Sequence, residues 1–160
     1  MNGMKLFIMR HGEAEAHAAT DAQRRLTERG RVETSALLER YQEVLGDISE
    51  LWASPYIRAQ QTAEIVTQHV PSLAQSHTSP LLVPDGNLRV LLKALEEAMH
   101  TDPTRQIILV SHQPLVGTLV DSLAGLEPGA YRMGTSALAC LEFDFLAPGC
   151  SNLMWLHQPN

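Results

Sequence analysis

Two short apolar runs, "LFIM" at residues 6–9 and "IILV" at residues 107–110, each stop against a histidine-bearing step, "RH" in the first and "SH" in the second. Unbroken runs of this kind, rich in β-branched and aromatic residues, predict strands buried on both faces of a parallel sheet. The first is expected over Lys5–Met9 and the second over Ile107–Val110. Parallel strands cannot be joined by a tight turn and need long crossovers, which the intervening sequence provides as helices. The fold class that follows is α/β: a mainly parallel sheet with helices on both faces.

The remaining elements fit that frame. Val32, Leu37, Tyr41, Val44 and Leu45 recur at near-helical spacing between Thr27, a plausible N-cap, and Gly46, a stop signal. A strand is expected over Ile48–Ala53, and "SP" at 54–55 then opens a helix reaching His69. Leu81–Val83 reads as a short extended piece before the turn "PDGN". Leu88, Leu91, Leu92, Leu95 and Met99 mark one face of the next helix, which ends near "TDP". "QPLVGTLVDSLAGL" gives a helix closed by Gly125, and "SALACLEFDF" with "LMWLH" reads as an antiparallel hairpin at the sheet edge, turned by "APGCSN".

One domain spanning residues 1–160 is the simplest organisation, because a chain of this length can bury roughly 70% of its unfolded surface. A net charge of −6 and a pI near 5.6 leave no broad basic surface for nucleic acid. Ten of the twelve basic residues are arginine, which suits planar recognition of small anions. Cys140 and Cys150 make no disulfide framework and are expected as reduced thiols. The apolar run before Arg10 is too short for a signal core or a membrane span. A cytoplasmic monomer with no membrane association is the expectation.

In an open α/β sheet, ligands bind beyond the carboxyl ends of the strands. Arg10 and His11 end the first strand, Arg58 falls in the first turn after the second, and His112 ends the strand before the last long helix. Two imidazoles and two guanidiniums meeting where helices begin form a site for a tetrahedral dianion such as phosphate. A neutral imidazole held in line with a leaving group is a competent nucleophile toward phosphorus, so His11 or His112 is the expected attacker.

"RHGE" after a strand, "SPYIRAQQTAE" at a helix start and "SHQPLVG" after a late strand resemble the histidine phosphatase superfamily, in that family's order. "TSALACLEF" is similar to the C-terminal segment of its small members. The resemblance implies a phosphoglycerate mutase-like fold in which His11 is transiently phosphorylated, Arg10, Arg58 and His112 surround the phosphoryl oxygens, and neither metal nor cofactor is required. The short chain and "RRLTERG" resemble most the small SixA-type protein phosphohistidine phosphatases. That likeness implies a phosphorylated protein as partner, either a histidine-phosphotransfer domain or a phosphocarrier. Larger relatives carry an acid between the second and third motifs, where this chain reads "SPLLVPDGNL" and offers only Asp85. An imidazole departs from phosphorus more readily than an alkoxide, so a missing acid favours phosphohistidine over phosphate esters. A small-molecule phosphomonoesterase, or a binding module without turnover, are the alternatives.

Glu13 is a candidate for tuning His11 or donating a proton, with a solvent-facing charge as the plainer reading. Asp85 is the other candidate acid, on which the phosphomonoesterase alternative would draw, with its turn role as the plainer reading. Ser54 and Thr62 read first as a cap and a helix hydroxyl, and Thr135 and Ser136 as residues near enough in sequence to the hairpin to reach the pocket. His17, His69, His77, His100 and His157 share no metal-binding spacing and read as surface residues.

Overall fold

The two apolar runs lie side by side at the centre of one six-stranded sheet. In the computed structural model, which describes residues 3–159, β1 (Met4–Arg10) pairs in parallel with β4 (Ile107–Ser111), in a register that sets Arg10 opposite Ser111. The strand order is β3-β2-β4-β1-β5-β6, with β2 (Glu50–Ala53) and β3 (Gln75–Thr78) completing the parallel part. β5 (Leu138–Phe143) runs antiparallel to β1, and β6 (Ser151–His157) antiparallel to β5.

Alternation within each run explains why neither could be interrupted by polar residues. Leu6, Ile8, Ile107 and Leu109 face one core with α3 (Leu88–Thr101) and α4 (Leu115–Ala124), which contribute Leu91, Leu95, Met99, Leu115, Leu119 and Leu123. Phe7, Met9, Ile108 and Val110 face the other, with Leu37 and Leu38 of α1 (Glu28–Arg40) and Ala59 and Val66 of α2 (Ile57–His69). Both faces of the sheet are thus covered, and burial of these side chains, at roughly 1.5–3 kcal/mol each, is the main drive to fold. No helix among the described residues is long and apolar enough to cross a membrane.

Four local expectations are corrected. The first helix ends at Arg40, not near Leu45: residues 41–47 form turns, Leu45 still reaches the core, and Val32 and Val44 are exposed. β2 starts at Glu50, because residues 48–49 leave the strand geometry. Tyr56, not Ser54, is the N-cap of α2, although the Ser54 hydroxyl does accept the Tyr56 N–H at 3.2 Å. Residues 80–82 coil into a 3-10 turn instead of extending, since Pro80 starts it and the Ser79 hydroxyl accepts the Leu81 N–H. β3 was not foreseen at all.

Candidate active site

Parallel pairing of β1, β4 and β2 brings the ends of three strands to the same edge, and each strand hands its next residue to the site. His11 follows β1, its backbone N–H donating to the Ser111 carbonyl at 3.0 Å. Ser54 follows β2 and donates its N–H to Val110 at 3.0 Å, while His112 follows β4. The imidazoles of His11 and His112 come to 5.0 Å between ring centroids, and Arg58, in the first turn of α2, donates from Nε to His11 Nε2 at 3.3 Å. Arg10 donates from Nη1 to the Met133 carbonyl at 3.0 Å. All four expected residues therefore gather at one lip of the sheet.

The protonation of His11 is fixed by its surroundings. Its Nδ1 stands 2.7 Å from the Gly12 carbonyl, which can only accept, so Nδ1 carries the proton and Nε2 keeps its lone pair. His11 is only 4% exposed, and burial above all, with Arg10, Arg58 and Arg24 adding to it against the raising effect of the Gly12 carbonyl, lowers its pKa to about 3. His112 falls to about 3 as well, through burial first, then through repulsion by His11 when that ring is also protonated and by Arg58, with Asp21 opposing. Both rings are neutral at physiological pH.

His112 Nε2 lies 2.8 Å from the Ser54 hydroxyl. Its Nδ1, like Arg10 Nε, is buried without a hydrogen-bond partner among the described residues. A buried polar nitrogen left unpaired is costly, and Arg10 Nε is a donor of the kind an oxyanion accepts from, as is His112 Nδ1 when it carries the ring proton. Tyr56 adds an edge-on contact to His112 and lies 5.1 Å from the Arg58 guanidinium, closing one side with apolar surface.

Asp21 was missed by the sequence reading. Its backbone carbonyl accepts from Arg58 Nη1 at 2.7 Å and its carboxylate from Nη2 at 3.2 Å, while Arg24 pairs with the same carboxylate at 2.9 Å. These two arginines hold Asp21 below the ordinary carboxylate range, so it is an anion that orients Arg58 and is unsuited to donate a proton. Nothing in "ATDAQ" announces this role, since it depends on a loop returning over α2.

Glu13 accepts the Thr27 hydroxyl at 2.9 Å, which ties the first loop to the start of α1. Thr27 caps that helix through Gly30 N–H, and a Cβ at Gly30 would overlap the Glu13 carbonyl. The "RRLTERG" segment therefore serves to seat the loop that carries His11. Leu26 helps, donating its N–H to Gln61 Oε1 at 2.8 Å. Asp85 is exposed in the turn that precedes α3. Thr62 accepts from Gly12 N–H at 3.1 Å and donates to the Arg58 carbonyl at 2.8 Å, so the hydroxyl links the first two motifs. Ser136 is spent on Thr34 at 2.9 Å while its N–H holds the His11 carbonyl.

A family model described as "Histidine phosphatase superfamily (branch 1)" matches residues 6–82. The phosphohistidine phosphatase SixA of Escherichia coli strain K12 is 33% identical over 157 residues, covering 98% of this chain and 94% of that protein. The chain belongs to the histidine phosphatase superfamily. A solved structure of the protein histidine phosphatase SixA complexed with tungstate superposes on this histidine phosphatase with a TM-score of 0.87 at 32% identity, covering 98% of this chain and 97% of the other. A phosphoserine phosphatase of Entamoeba histolytica, at 16% identity and a TM-score of 0.73 over 98% of both chains, shares the fold. The histidine phosphatase described here is accordingly a hydrolase with a phosphoglycerate mutase-like sheet.

Proposed function

We propose that this histidine phosphatase hydrolyses phosphohistidine on a protein substrate, through a covalent phosphohistidine formed at His11. The observation that carries the reading is the locked tautomer of His11: Nδ1–H faces the Gly12 carbonyl, and Nε2 is left as a lone pair beside Arg58. A nucleophile of this kind needs no base to activate it.

The reaction runs in two displacements. The His11 Nε2 lone pair forms a bond to phosphorus while the substrate's phosphorus–nitrogen bond breaks, and its electron pair returns to a substrate imidazole already protonated on its other ring nitrogen, which leaves as neutral imidazole. Water then attacks the phosphorus of phospho-His11, releasing phosphate and restoring Nε2. Arg10, Arg58 and the His112 Nδ1–H meet the three equatorial oxygens, where charge gathers in both transition states. With the His112 proton on Nδ1 toward the phosphoryl oxygens, Nε2 accepts from the Ser54 hydroxyl 2.8 Å away, which favours that tautomer.

Phosphohistidine is supported over an ester on two grounds. Two relatives that share more than 30% of their residues with this chain along nearly its whole length are phosphohistidine phosphatases by name, whereas the phosphoserine phosphatase shares 16%. The near-complete burial of His11 also means that the phosphoryl group must arrive on the end of a spacer, and a substrate imidazole is a flat spacer of the right kind. Beside Arg10 a groove of about 710 Å³, walled by Gln113, Thr118, Tyr131, Arg132 and Gly134, leaves room for the polypeptide that bears it. A histidine-phosphotransfer domain or a phosphocarrier, acting with this enzyme in the cytoplasm, is the partner class the reading calls for.

The test compares phosphate release from a phosphohistidine-bearing carrier protein and from simple phosphate esters, with wild type and His11→Ala side by side. The carrier is expected to be hydrolysed faster by orders of magnitude, with both activities abolished in the variant. Comparable ester turnover by the wild type would overturn the substrate assignment.

A further inference from the structure

Asp121 is a carboxylate in the middle of α4, 3% exposed, and no step of the mechanism uses it. It is not idle. Its Oδ2 accepts the Gly129 N–H at 2.9 Å and its Oδ1 the Tyr131 N–H at 3.2 Å, so both oxygens are committed to the backbone of the loop that follows the helix. The helix is shaped to receive that loop: at Gly117 a Cβ would stand 2.5 Å from the Tyr131 carbonyl. Further along, Met133 N–H donates to Gln113 Oε1 at 3.3 Å and its side chain is buried in the core. Gln158 grips the loop from the other side, accepting from Gly134 N–H at 2.8 Å and donating to the Arg132 carbonyl at 2.7 Å.

The end of this loop is the wall of the active site. The Met133 carbonyl accepts from Arg10 Nη1, the single hydrogen bond that the Arg10 guanidinium makes among the described residues, while its Nε remains unpaired. Arg10 also has nearby cations in Arg58 and Arg24 and no acidic partner among the described residues, so a neutral carbonyl dipole is what holds it at the lip. A guanidinium in that position drifts when its one anchor moves, and misplacement of about 1 Å is enough to weaken recognition of a planar or tetrahedral anion severely.

We propose that Asp121 is a positioning residue for anion recognition: its carboxylate clamps the loop at residues 126–134, and the Met133 carbonyl of that loop fixes the Arg10 guanidinium against the transferred phosphoryl group. This inference rests on the proposed reading only in taking the lip as the phosphoryl site, and it is independent of which phosphorylated molecule is bound. Asparagine is the informative replacement, because its amide has one acceptor oxygen and turns an N–H₂ toward the second backbone donor.

The experiment measures tungstate affinity of the full chain by calorimetry for wild type, Asp121→Asn, Arg10→Ala and the double variant, with thermal melting as the check on folding. Asp121→Asn is expected to weaken tungstate about tenfold, and to weaken it less than twofold once Arg10 has been removed. Equal losses in the two backgrounds would show a merely structural carboxylate and overturn the proposal, as would unchanged affinity in the single variant. Should Asp121→Asn fail to fold, hydrogen exchange on the wild type decides. Linkage requires that saturating tungstate slow exchange at the Gly129 and Tyr131 amides if the clamp and Arg10 are coupled. Protection confined to the His11 and Arg58 segments would refute it. Failure of the wild type to bind tungstate at all would remove the phosphoryl site itself, an outcome distinct from all of these.

Discussion

The two ends of β2 both bury charge, and they do so in opposite ways. At its start, Glu50 is nearly fully enclosed and surrounded by groups that answer it: the Trp52 indole N–H donates to Oε2, Arg105 Nε stands 3.7 Å from Oε1, and His77 lies 4.0 Å away. At the other end, beyond Ala53, Arg10, Arg58, His11 and His112 crowd together with Asp21 as a compensating carboxylate, and two buried nitrogens, Arg10 Nε and His112 Nδ1, have no hydrogen-bond partner among the described residues. The first arrangement is closed and stabilises the fold. The second gathers more positive than negative charge at the lip, which is the electrostatic ground of the proposed phosphoryl site.

The contrast is broken most forcefully by swapping a truncation between the two ends. Arg58→Ala is expected to lower turnover about 10²–10³-fold, the cost of one donor to a transferring oxygen, with melting temperature unchanged or raised. Glu50→Gln should do the reverse, costing roughly 1–3 kcal/mol of stability in chemical denaturation and leaving kcat/KM at the wild-type value. An active-site defect in the Glu50 variant would dissolve the distinction between the two ends.

Smaller effects sharpen it. Ser54→Ala deprives His112 Nε2 of its partner, and a loss of about 0.5–1.5 kcal/mol predicts a fall in turnover of at most about tenfold. Because burial lowers both histidines to about 3, the native rings stay neutral where unfolded histidine, near 6.5, takes up protons. The unfolded state then binds more protons than the native one, so stability is full above pH 6.5 and is lost as pH falls toward 3. Imidazole NMR should find His11 and His112 untitrated at pH 5.5 in the free enzyme. Titration of either near 6.5 would contradict the burial argument. Least of all, Asp85→Asn is expected to change neither ester nor phosphohistidine cleavage, as its exposed place in a turn suits a solvated charge, and loss of ester cleavage alone would mark it as an acid.

What could be read from the chain follows from what burial writes into sequence. β1 and β4 were legible because strands covered on both faces must be apolar at every position, and the residues at their ends could be placed at one lip by the topology of parallel sheets. β3 was not, because Gln75, Ser76, His77 and Thr78 form an exposed edge strand that pairs on one side only and carries no apolar pattern. The end of α1 was misjudged because Val44 suits the helical period but lies in a turn. Arg10, His11, Arg58 and His112 stood out through their positions after strands, whereas Asp21 and Asp121 did not. Each of these carboxylates acts on a group reached only through tertiary folding, and each looks in sequence like an ordinary surface acid.

The bare backbone at Gly30 leaves the two flanks of the pocket unequally open to change. One flank is welded: the helix start and the loop after β1 share a contact so close that neither moves without the other, and even a methyl group would force them apart. Redesign of what this enzyme accepts is therefore directed across the mouth, at the exposed side chains of Tyr131 and Arg132 alone, since the backbone of their own loop is held as closely by Gly117 and Asp121.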